Sequence, residues 1–430
     1  GIATVAVYSE ADEESLHTQL ADEAICIGPG PSAQSYLNME QIISATMVSG
    51  ADAIHPGFGF LSENARFAEL CEKCGITFVG PPSKVIRMLG NKKIARSTMI
   101  AAGVPVVPGS EGDVEDIETG LKEAERIGYP VIIKAALGGG GKGMRVANTP
   151  EEFPEAYATA RKESEIAFGD GTMYIEHFVV NPRHIEFQIL ADSFGNVIHL
   201  GERDCSIQRN HQKMIEESPS AAVSSELREK MGHAAVTAAK AAGYVNAGTI
   251  EFLLEPDGKF WFMEMNTRIQ VEHPVTEWVT GIDLVKEQLK IASGMPLEIS
   301  QEDVRIQGHA IECRINAENP QKNFRPSPGT IQGAHFPGGN GIRVDTCVYN
   351  GCKIPPYYDS MLAKLIVHAG NRKEAIAKMQ SALGEVIIDG IDTNIDYQYE
   401  ILKDEDYQSG NFDTGFLASH IIAGVKINEN

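Results

Sequence analysis

The sequence lacks several features that mark whole classes of protein. It has no run of 18 apolar residues and no signal peptide at its start, which argues against a membrane protein and predicts a cytoplasmic location. Basic residues are few, with 37 Lys and Arg against 59 Asp and Glu, and the net charge of −22 argues against a nucleic-acid partner. The seven cysteines are odd in number and scattered, which is typical of reduced thiols. Cys71-x-x-Cys74 has no second pair, so we expect no zinc site there.

The chain is long enough to form two or three domains. From residue 1 to 89, short apolar strands such as TVAVYS and EAICIG alternate with helical stretches, which predicts a parallel sheet. Within it, HPGFGFLSEN (55–64) predicts a glycine turn followed by a helix that starts at Ser62. A second region spans 90–293 and includes a small unit at 110–178, and the remainder, 294–430, mixes strands and helices.

Four consecutive glycines, Gly138 to Gly141, join two strand-like runs in VIIKAALGGGGKGMRV. Glycine lets backbone N–H groups approach an anion closely, and Lys134 at the end of the preceding run adds an ammonium group. The segment is not a P-loop, because Lys142 is followed by Gly143 rather than by Ser or Thr. A plain flexible turn is the alternative, and Lys134 favours phosphate binding over it.

Alternate residues of MEMNTRIQVEHPVTE (263–277) are polar from Glu264 to Glu272, while those between them are nearly all apolar. In an extended chain these polar side chains share one face. Upstream, Asp257-Gly258 predicts a two-residue hairpin turn that places Glu251 opposite Glu264. Opposed carboxylates suit a bound Mg²⁺, although a solvated strand face is the plainer interpretation. Eight residues would span about 26 Å if fully extended, so we predict a bend after Asn266.

The segment GERDCSIQRNHQKMIEE (201–217) is rich in charge and is predicted to be a charged loop between a strand and a helix. Its alternatives are a solvated loop and a binding segment, and clustered cations in an acidic protein favour the second. His184, in PRHIEFQ, is as compatible with a structural histidine as with a ligand contact.

Several motifs then follow one another along most of the chain: Lys92, Lys134, GGGGKGM, MYIEHF, PRHIEFQ, GERDCSIQRNHQK, TIEF, FMEMNTRIQVEHPVTE and PPYYDS. In this order they resemble the ATP-grasp biotin carboxylases, and in extent the stand-alone biotin carboxylase subunits of bacterial acetyl-CoA carboxylase. The resemblance implies an α/β ATP-grasp fold with three parts. These are an N-terminal parallel-sheet, Rossmann-like domain (1–89), an ATP-grasp region (90–293) with a small lid (110–178), and a C-terminal α+β domain (294–430).

The resemblance also implies a role for each matching residue. The nucleotide would be contacted by Lys92, Lys134, Gly140, Gly141, Glu176, His177, Phe178, Val179, His184 and His211. Mg²⁺ or Mn²⁺ would be bound by Glu251, Glu264 and Asn266, of which the two carboxylates also serve the nucleotide site. Bicarbonate and biotin would be held by Lys213, Arg268, Gln270, Val271 and Arg343. Catalysis would use Lys213, Arg268, Glu272 as the base, and Arg343 to stabilise the biotin ureido oxygen.

The chain departs from the family pattern at three places. It begins after the strand and Asn-Arg-Gly-Glu turn that open the family's sequences, so the first strand is expected to be missing. His177 stands where the family usually has Lys, and Phe58 stands where Tyr is frequent. No Met-Lys-Met biotin-acceptor segment occurs, which predicts that a separate carrier protein bears the biotin.

The implied function is ATP-dependent carboxylation of carrier-bound biotin by bicarbonate through carboxyphosphate, the first half-reaction of acetyl-CoA carboxylase in fatty acid synthesis. Expected partners are a biotin carboxyl carrier protein, carboxyltransferase subunits and a second copy in a homodimer. The alternatives are the biotin carboxylase part of another acyl-CoA or pyruvate carboxylase, and an ATP-grasp ligase that joins a carboxylate to an amine. A non-catalytic nucleotide-binding regulator is a further alternative from a different class.

Overall fold

The fold is described from a computed structural model, for residues 1–110, 112–135, 144–168, 170–210 and 212–427. The chain divides into two compact units, which are treated separately. The first contains Gly1–Val104, Arg183–Phe252 and Glu264–Ile427, and the second contains Pro105–Pro182 and Leu253–Met263. The predicted division at 89 and 293 stays a prediction.

The first 104 residues alternate strands with helices, as predicted. Strands β1 (Val5–Tyr8) and β2 (Glu23–Cys26) pair in parallel, and so do β3 (Ala53–Ile54) and β4 (Thr77–Phe78). The helices are α1 (Leu16–Leu20), α2 (Met39–Ser49), α3 (Ala65–Lys73), α4 (Ser83–Leu89) and α5 (Lys92–Ala101). Helix α3 begins at Ala65 rather than at Ser62, because the Asn64 side chain accepts the Phe67 N–H and caps the first turn.

The second unit is a small three-stranded antiparallel sheet with two helices. Its strands are β5 (Val131–Ala135), β6 (Met144–Ala147) and β7 (Met173–His177), in the order β6-β5-β7. Helix α6 (Ile117–Ile127) precedes β5 and helix α7 (Phe153–Phe168) lies between β6 and β7, and their buried apolar residues share one core with the sheet. The glycine run between β5 and β6 lies outside the described residues.

The first unit is built on a sheet of eight strands, in the order β12-β11-β8-β9-β10-β13-β20-β18. The strands before residue 300 are β8 (Arg183–Ala191), β9 (Val197–Arg209), β10 (Gln212–Ser218), β11 (Asn246–Leu254) and β12 (Phe260–Asn266). The helices of this stretch are α8 (Ser225–Ala241), α9 (His273–Thr280) and α10 (Leu284–Ala292). The length of β9 allows it to pair with β8 on one side and β10 on the other.

Residues 201–209 and 212–217 of the charged segment are therefore strand rather than the predicted loop. Glu202, Arg203 and Asp204 lie in β9 and are at most 1% exposed, while Glu216 and Glu217 lie buried in β10. Charged residues in a strand are tolerated in a protein interior only when they are paired. Here each has an ion-pair partner, so the pattern that predicted solvent exposure reflects a buried ionic network.

The remaining residues form an α+β arrangement with antiparallel pairing. The strands are β13 (His309–Asn316), β14 (Glu318–Asn319), β15 (Arg325–Pro326), β16 (Gly329–Thr330), β17 (Gly333–His335), β18 (Ile342–Thr346), β19 (Lys353–Ile354), β20 (Met361–Ala369), β21 (Ile387–Asp389), β22 (Ile421–Ile422) and β23 (Val425–Lys426). The helices are α11 (Arg372–Glu385), α12 (Ile395–Lys403), α13 (Glu405–Ser409) and α14 (Phe416–Ser419). None of the helices in the described ranges combines the length and apolar character needed to cross a membrane.

Candidate active site

The polar residues of 264–272 lie on a strand end and a connection rather than on one continuous strand. Strand β12 ends at Asn266, and helix α9 begins at His273 with Glu272 as its N-cap residue. The predicted bend after Asn266 is therefore confirmed. Asn266, Gln270 and Glu272 are 8%, 4% and 0% exposed and Arg268 is half-buried, so the polar positions are exposed only at Glu264, where the segment begins.

The turn before β12 differs from the prediction in its length. The Gly258 N–H donates to the Glu255 carbonyl and the Glu255 N–H donates to the Lys259 carbonyl, at 3.0 and 2.8 Å. Gly258 has φ +88°, which glycine adopts without strain. The loop thus holds three residues and places Glu255, rather than Pro256, opposite Lys259. The predicted two-residue turn was therefore wrong, while the placement of Glu251 opposite Glu264 stays a prediction.

The predicted metal ligands nevertheless come together. Asn266 Nδ2 donates to Glu251 Oε1 at 2.7 Å, which leaves Asn266 Oδ1 as an acceptor. Burial, and after it the nearby charge of Glu251, raises the pKa of Glu264. Two carboxylates that repel each other beside an amide oxygen form the all-oxygen donor set that Mg²⁺ prefers.

Glu251 is also paired with cations from two other strands. His184 Nε2 lies 3.1 Å from Glu251 Oε2, and Lys213 Nζ lies 3.1 Å from Glu251 Oε1. Burial lowers the pKa of His184, but the charge of Glu251 outweighs it and the net shift is upward. Burial raises the pKa of Glu251, but Lys213 and His184 together hold it well below its usual range. Glu251 is therefore ionised in this arrangement.

Glu272, the predicted base, is completely buried between two cations. Its Oε1 accepts from Lys213 Nζ at 2.7 Å, and its Oε2 accepts from Arg314 Nη2 at 2.8 Å. Burial raises the pKa of Glu272, but Lys213, Arg314 and Arg203 outweigh it and hold the pKa well below its usual range. The carboxylate is thus charged and able to accept a proton once a cation is drawn away from it.

The guanidinium of Arg268 lies on the connection between β12 and α9. Its Nη1 donates to Gln270 Oε1 at 2.9 Å and to the Ile269 carbonyl at 3.2 Å, and its Nε donates to Glu63 Oε2 at 2.9 Å. Its Nη2 makes a longer contact of 3.4 Å with Asn266 Oδ1. Gln270 Nε2 lies 3.4 Å from Glu251 Oε1, so Gln270 connects Arg268 to the Glu251 cluster.

Val271 and Arg343 are held by different partners. The Val271 carbonyl accepts from Lys364 Nζ at 2.9 Å. Arg343, on β18, forms a two-pronged ion pair with Asp345 at 2.7 and 2.8 Å and donates to Glu277 Oε2 at 2.6 Å. Among the contacts of the described residues, Arg314 rather than Arg343 reaches the predicted base.

The ion pair between Arg203 and Glu186, which also involves Lys213, was not predicted from the sequence. Arg203 is fully buried, and its Nε donates to Glu186 Oε1 at 2.5 Å while Lys213 Nζ donates to Glu186 Oε2 at 2.6 Å. Arg203 also donates to Thr249 and Thr276 hydroxyls at 3.1 and 3.0 Å. The alternation of charged and apolar residues in HIEFQ (184–188) was the available signal, since a charge inside an apolar strand requires a partner.

The predicted nucleotide residues of the second unit form a separate cluster. Lys134 Nζ on β5 donates to Glu176 Oε2 on β7 at 2.5 Å. His177 Nε2 lies 3.1 Å from Glu255 Oε1, which also accepts from Trp261 Nε1 at 2.6 Å. The backbone N–H groups of the strand end are used internally, because His177 donates to the Pro108 carbonyl and Phe178 to the Pro130 carbonyl. Val179 follows directly and is half-buried.

The remaining predicted nucleotide residues lie elsewhere. Lys92, in the first unit, is the exposed first residue of α5, after the Asn91 cap. Gly140, Gly141 and His211 lie outside the described residues.

Comparison with known proteins finds three family matches that together span most of the chain. Residues 1–86 match "Biotin carboxylase, N-terminal domain", 91–300 match "Carbamoyl-phosphate synthase L chain, ATP binding domain", and 312–419 match "Biotin carboxylase C-terminal domain". The chain is 58% identical to Biotin carboxylase 1 of Bacillus subtilis (strain 168), over 99% of this chain and 94% of that protein. It is 57% identical to the biotin carboxylase of Nostoc sp. (strain PCC 7120), over 97% and 93%.

Solved structures agree with these matches. The biotin carboxylase domain of thermophilic 2-oxoglutarate carboxylase, bound to ADP, superposes with a TM-score of 0.93 at 51% identity, over 98% of this chain and 93% of that one. The corresponding domain dimer of Hydrogenobacter thermophilus, in complex with MgADP, ADP and bicarbonate, superposes with a TM-score of 0.86 at 51% identity, over 98% and 92%. The predicted α/β ATP-grasp fold is confirmed, and the chain belongs to the biotin carboxylase family of ATP-dependent ligases.

Proposed function

We propose that this chain uses ATP to activate bicarbonate and transfers the carboxyl group to N1 of biotin on a separate carrier protein. The observation that carries the proposal is the buried arrangement of Lys213, Glu272 and Arg314 beside Glu251. It combines donors for a small anion with a charged base, close to a group of oxygen ligands. A solved structure that is 51% identical to this chain is in complex with MgADP, ADP and bicarbonate.

Lys213 and Arg268 are the proposed bicarbonate donors. Lys213 Nζ is buried and already lies against three carboxylates, and Arg268 Nη2 makes the weakest contact of its guanidinium. Charge-assisted hydrogen bonds from these groups would orient bicarbonate for attack on the terminal phosphorus of ATP. The bond between that phosphorus and the bridging oxygen breaks, so that carboxyphosphate and ADP form while Glu272 accepts the bicarbonate proton. When the carboxyl group then moves to N1 of biotin, its bond to the phosphate oxygen breaks, and the phosphate leaves with the N1 proton. Gln270 and the Val271 backbone would complete this anion site.

Glu272 is the proposed base, and its low pKa has to rise when substrate binds for it to accept a proton. An ion pair on each oxygen keeps the carboxylate charged but makes it a weak proton acceptor. A bicarbonate bound to Lys213 partly neutralises the charge of that ammonium group. Lys213 then attracts the Glu272 carboxylate less strongly, and the pKa of Glu272 rises. Basicity would therefore increase when substrate is present, which is when a proton has to be accepted.

The arginine that stabilises the biotin ureido oxygen is better assigned to Arg314 than to Arg343. Arg314 contacts the base directly, whereas Arg343 is saturated by Asp345 and Glu277. A guanidinium that already has two carboxylate partners has little capacity to stabilise a further negative charge. We propose that Arg343 instead holds Glu277, and with it helix α9.

Glu251, Glu264 and Asn266 are the proposed ligands for Mg²⁺ or Mn²⁺, which when bound neutralises phosphate charge. The nucleotide itself would be contacted by Lys92, Lys134, His184, His211, the glycine run and residues 176–179. His177 differs from the usual family residue, and its side chain is directed to Glu255 within its own unit.

The final acceptor, partners and location stay predictions. We propose acetyl-CoA carboxylation with a biotin carrier protein and carboxyltransferase subunits, in the cytoplasm, as expected from the sequence. A 2-oxo acid is the second candidate acceptor, since two superposable structures are domains of 2-oxoglutarate carboxylase. Reconstitution with each set of partner subunits separates them, because only the matching carrier and transferase would release a carboxylated product.

One assay tests the central proposal. ATP hydrolysis should depend on bicarbonate and should increase when biotin is added, because each step consumes the product of the one before. A regulator that only binds nucleotide would release no ADP above background under any of these conditions. An ATP-grasp ligase that joins a carboxylate to an amine would instead require an amine, and would contradict the proposal.

A further inference from the structure

Glu63 lies in the HPGFGFLSEN segment, 205 positions before Arg268 in the sequence, and makes contact with it. Its Oε2 accepts from Arg268 Nε at 2.9 Å, and its Oε1 accepts from the Thr267 N–H at 2.9 Å and the Thr267 hydroxyl at 3.2 Å. One carboxylate therefore binds both the backbone and the guanidinium of the connection that follows β12. Glu63 was not among the predicted site residues, although its segment belongs to the stretch that resembles the family.

Glu63 can restrict the movement of that connection, because its own backbone is held by a packed helix. It directly precedes Asn64, whose side chain caps helix α3, and this helix buries Phe67, Ala68 and Cys71. The Glu63 backbone is thus attached to a packed helix. The Thr267 N–H, in contrast, belongs to residues beyond the end of β12, where no strand partner is available to accept it.

The contacts of Glu63 decide which edge of the Arg268 guanidinium remains open. Nε is used by Glu63, and Nη1 is used by Gln270 and the Ile269 carbonyl. Nη2 keeps only the 3.4 Å contact with Asn266 among the described residues. Since the guanidinium is planar, fixing Nε and Nη1 also fixes the direction in which Nη2 donates.

We propose that Glu63 is a positioning residue for bicarbonate, which acts by orienting Arg268 and the Thr267 backbone. The inference rests on the proposed function, because it requires Arg268 to bind bicarbonate. The plainer alternative is an ordinary ion pair at the surface, since the Glu63 side chain is 40% exposed and such pairs contribute little. The backbone hydrogen bond to Thr267 distinguishes Glu63 from such a pair.

Glu63→Gln tests the inference in bicarbonate-dependent ATP hydrolysis. Glutamine keeps the size of the side chain, but its amide group can accept from Thr267 or from Arg268 with one oxygen only. We expect the KM for bicarbonate to rise about tenfold, as for loss of one charged hydrogen bond, with the KM for ATP changed less than about twofold. Glu69→Gln is the matched control, because Glu69 lies on α3 and forms exposed ion pairs with Lys73 and Arg87.

A double-mutant cycle with Arg268→Ala shows whether Glu63 acts through Arg268. Coupled residues give non-additive effects, so Glu63→Gln should raise the KM for bicarbonate in the native background and not in Arg268→Ala. Additive effects would overturn the inference. The inference would also be overturned if Arg268→Ala raises the KM for bicarbonate while Glu63→Gln leaves this KM normal. The proposed function would survive that result. If Arg268→Ala leaves this KM unchanged, both the inference and the proposed role of Arg268 in bicarbonate binding are overturned.

Glu63→Asp provides a second measurement should Glu63→Gln fold poorly. Aspartate keeps the charge but is one methylene shorter, so it cannot span Thr267 and Arg268 together. We expect Glu63→Asp to raise the KM for bicarbonate, but by less than Glu63→Ala does. Equal values for Glu63→Asp and wild type would contradict the inference.

Discussion

At the scale of single residues, two buried carboxylates lie directly opposite each other in the sheet. Glu216 on β10 pairs with Glu312 on β13, and both are 0% exposed. Glu216 accepts from Arg314, but neither oxygen of Glu312 has a hydrogen-bond partner among the residues that the structure describes. Burial raises the pKa of Glu216 to about 7 and raises that of Glu312 well above its usual range. The fold therefore favours the neutral form of Glu312.

Glu312→Gln should alter the pH dependence of stability. A folded-state pKa above the unfolded value means that the native protein holds the extra proton, so stability falls as pH rises above about 4.5. Glutamine has the same shape and no charge, so the free energy of unfolding should fall less between pH 5 and pH 8. At pH 8 the variant should be more stable by roughly 1 kcal/mol.

Denaturant unfolding at several pH values measures this difference. Glu302→Gln is the control, since Glu302 is exposed and its substitution should leave the pH profile as in wild type. A steeper decline in Glu312→Gln would show that the carboxylate is charged and stabilising.

Glu272→Gln should abolish turnover without preventing nucleotide binding. The amide keeps the N-cap position of α9 but cannot accept a proton, and general bases contribute about 10²- to 10⁴-fold to rate. Bicarbonate-dependent ATP hydrolysis should fall by at least about 100-fold, while MgATP still raises the melting temperature. Glu226→Gln, at an exposed ion pair on α8, is the control. Near-normal carboxylation of biotin by Glu272→Gln would contradict the assignment.

At the scale of elements, the β11–β12 hairpin carries the proposed metal ligands. The loop has three residues rather than the two that were predicted, and Glu251 lies close enough to raise the pKa of Glu264. The proposed function of the hairpin depends on the proximity of these two carboxylates. Like charges at short range cost stability until a cation lies between them.

Glu264→Gln should separate metal binding from folding. Removing one of two repelling charges should leave the protein in EDTA no less stable, and up to roughly 1 kcal/mol more so. The same change removes a ligand, so the stabilisation that MgATP gives to wild type should be lost.

Denaturant melts of both proteins, with EDTA and with MgATP, measure the two effects. Asp257→Asn is the control, because Asp257 is half exposed at the tip of the same hairpin, where it pairs with Lys259. A Glu264→Gln protein that is weaker in EDTA yet fully protected by MgATP would refute the metal assignment.

At the scale of the whole molecule, the three family matches run from residue 1 to 419. The biotin carboxylase domain of Hydrogenobacter thermophilus, which superposes on this chain, is a dimer. A homodimer is accordingly the predicted assembly of this protein.

Sedimentation equilibrium tests the assembly. Over a series of concentrations we expect a mass of about 93 kDa, twice the 46.6 kDa of one chain. Adding salt separates ionic from apolar association, since screening weakens only the first. A mass of one chain at every concentration would contradict the prediction.

The sequence by itself predicted the alternating strands and helices of the first 104 residues and the bend after Asn266, because periodicity is a short-range property of the chain. Lys213, Glu251 and Glu272 were assigned to one site by the resemblance of their motifs to a family, and the structure brings them together. The same resemblance led to Arg343, which contacts Asp345 and Glu277 instead of the base.

Only the tertiary structure decided which charges meet. Arg314 reaches Glu272 from 42 positions away, and Glu63 reaches Arg268 from 205 positions away. The segment 201–217 has the composition of a solvated loop, yet Arg203 and its neighbours are buried because their partners lie on other strands. The local sequence around a charged side chain does not show whether that side chain will be hydrated at the surface or paired with an opposite charge in the interior. That choice is made by strand order and register, which bring distant residues together.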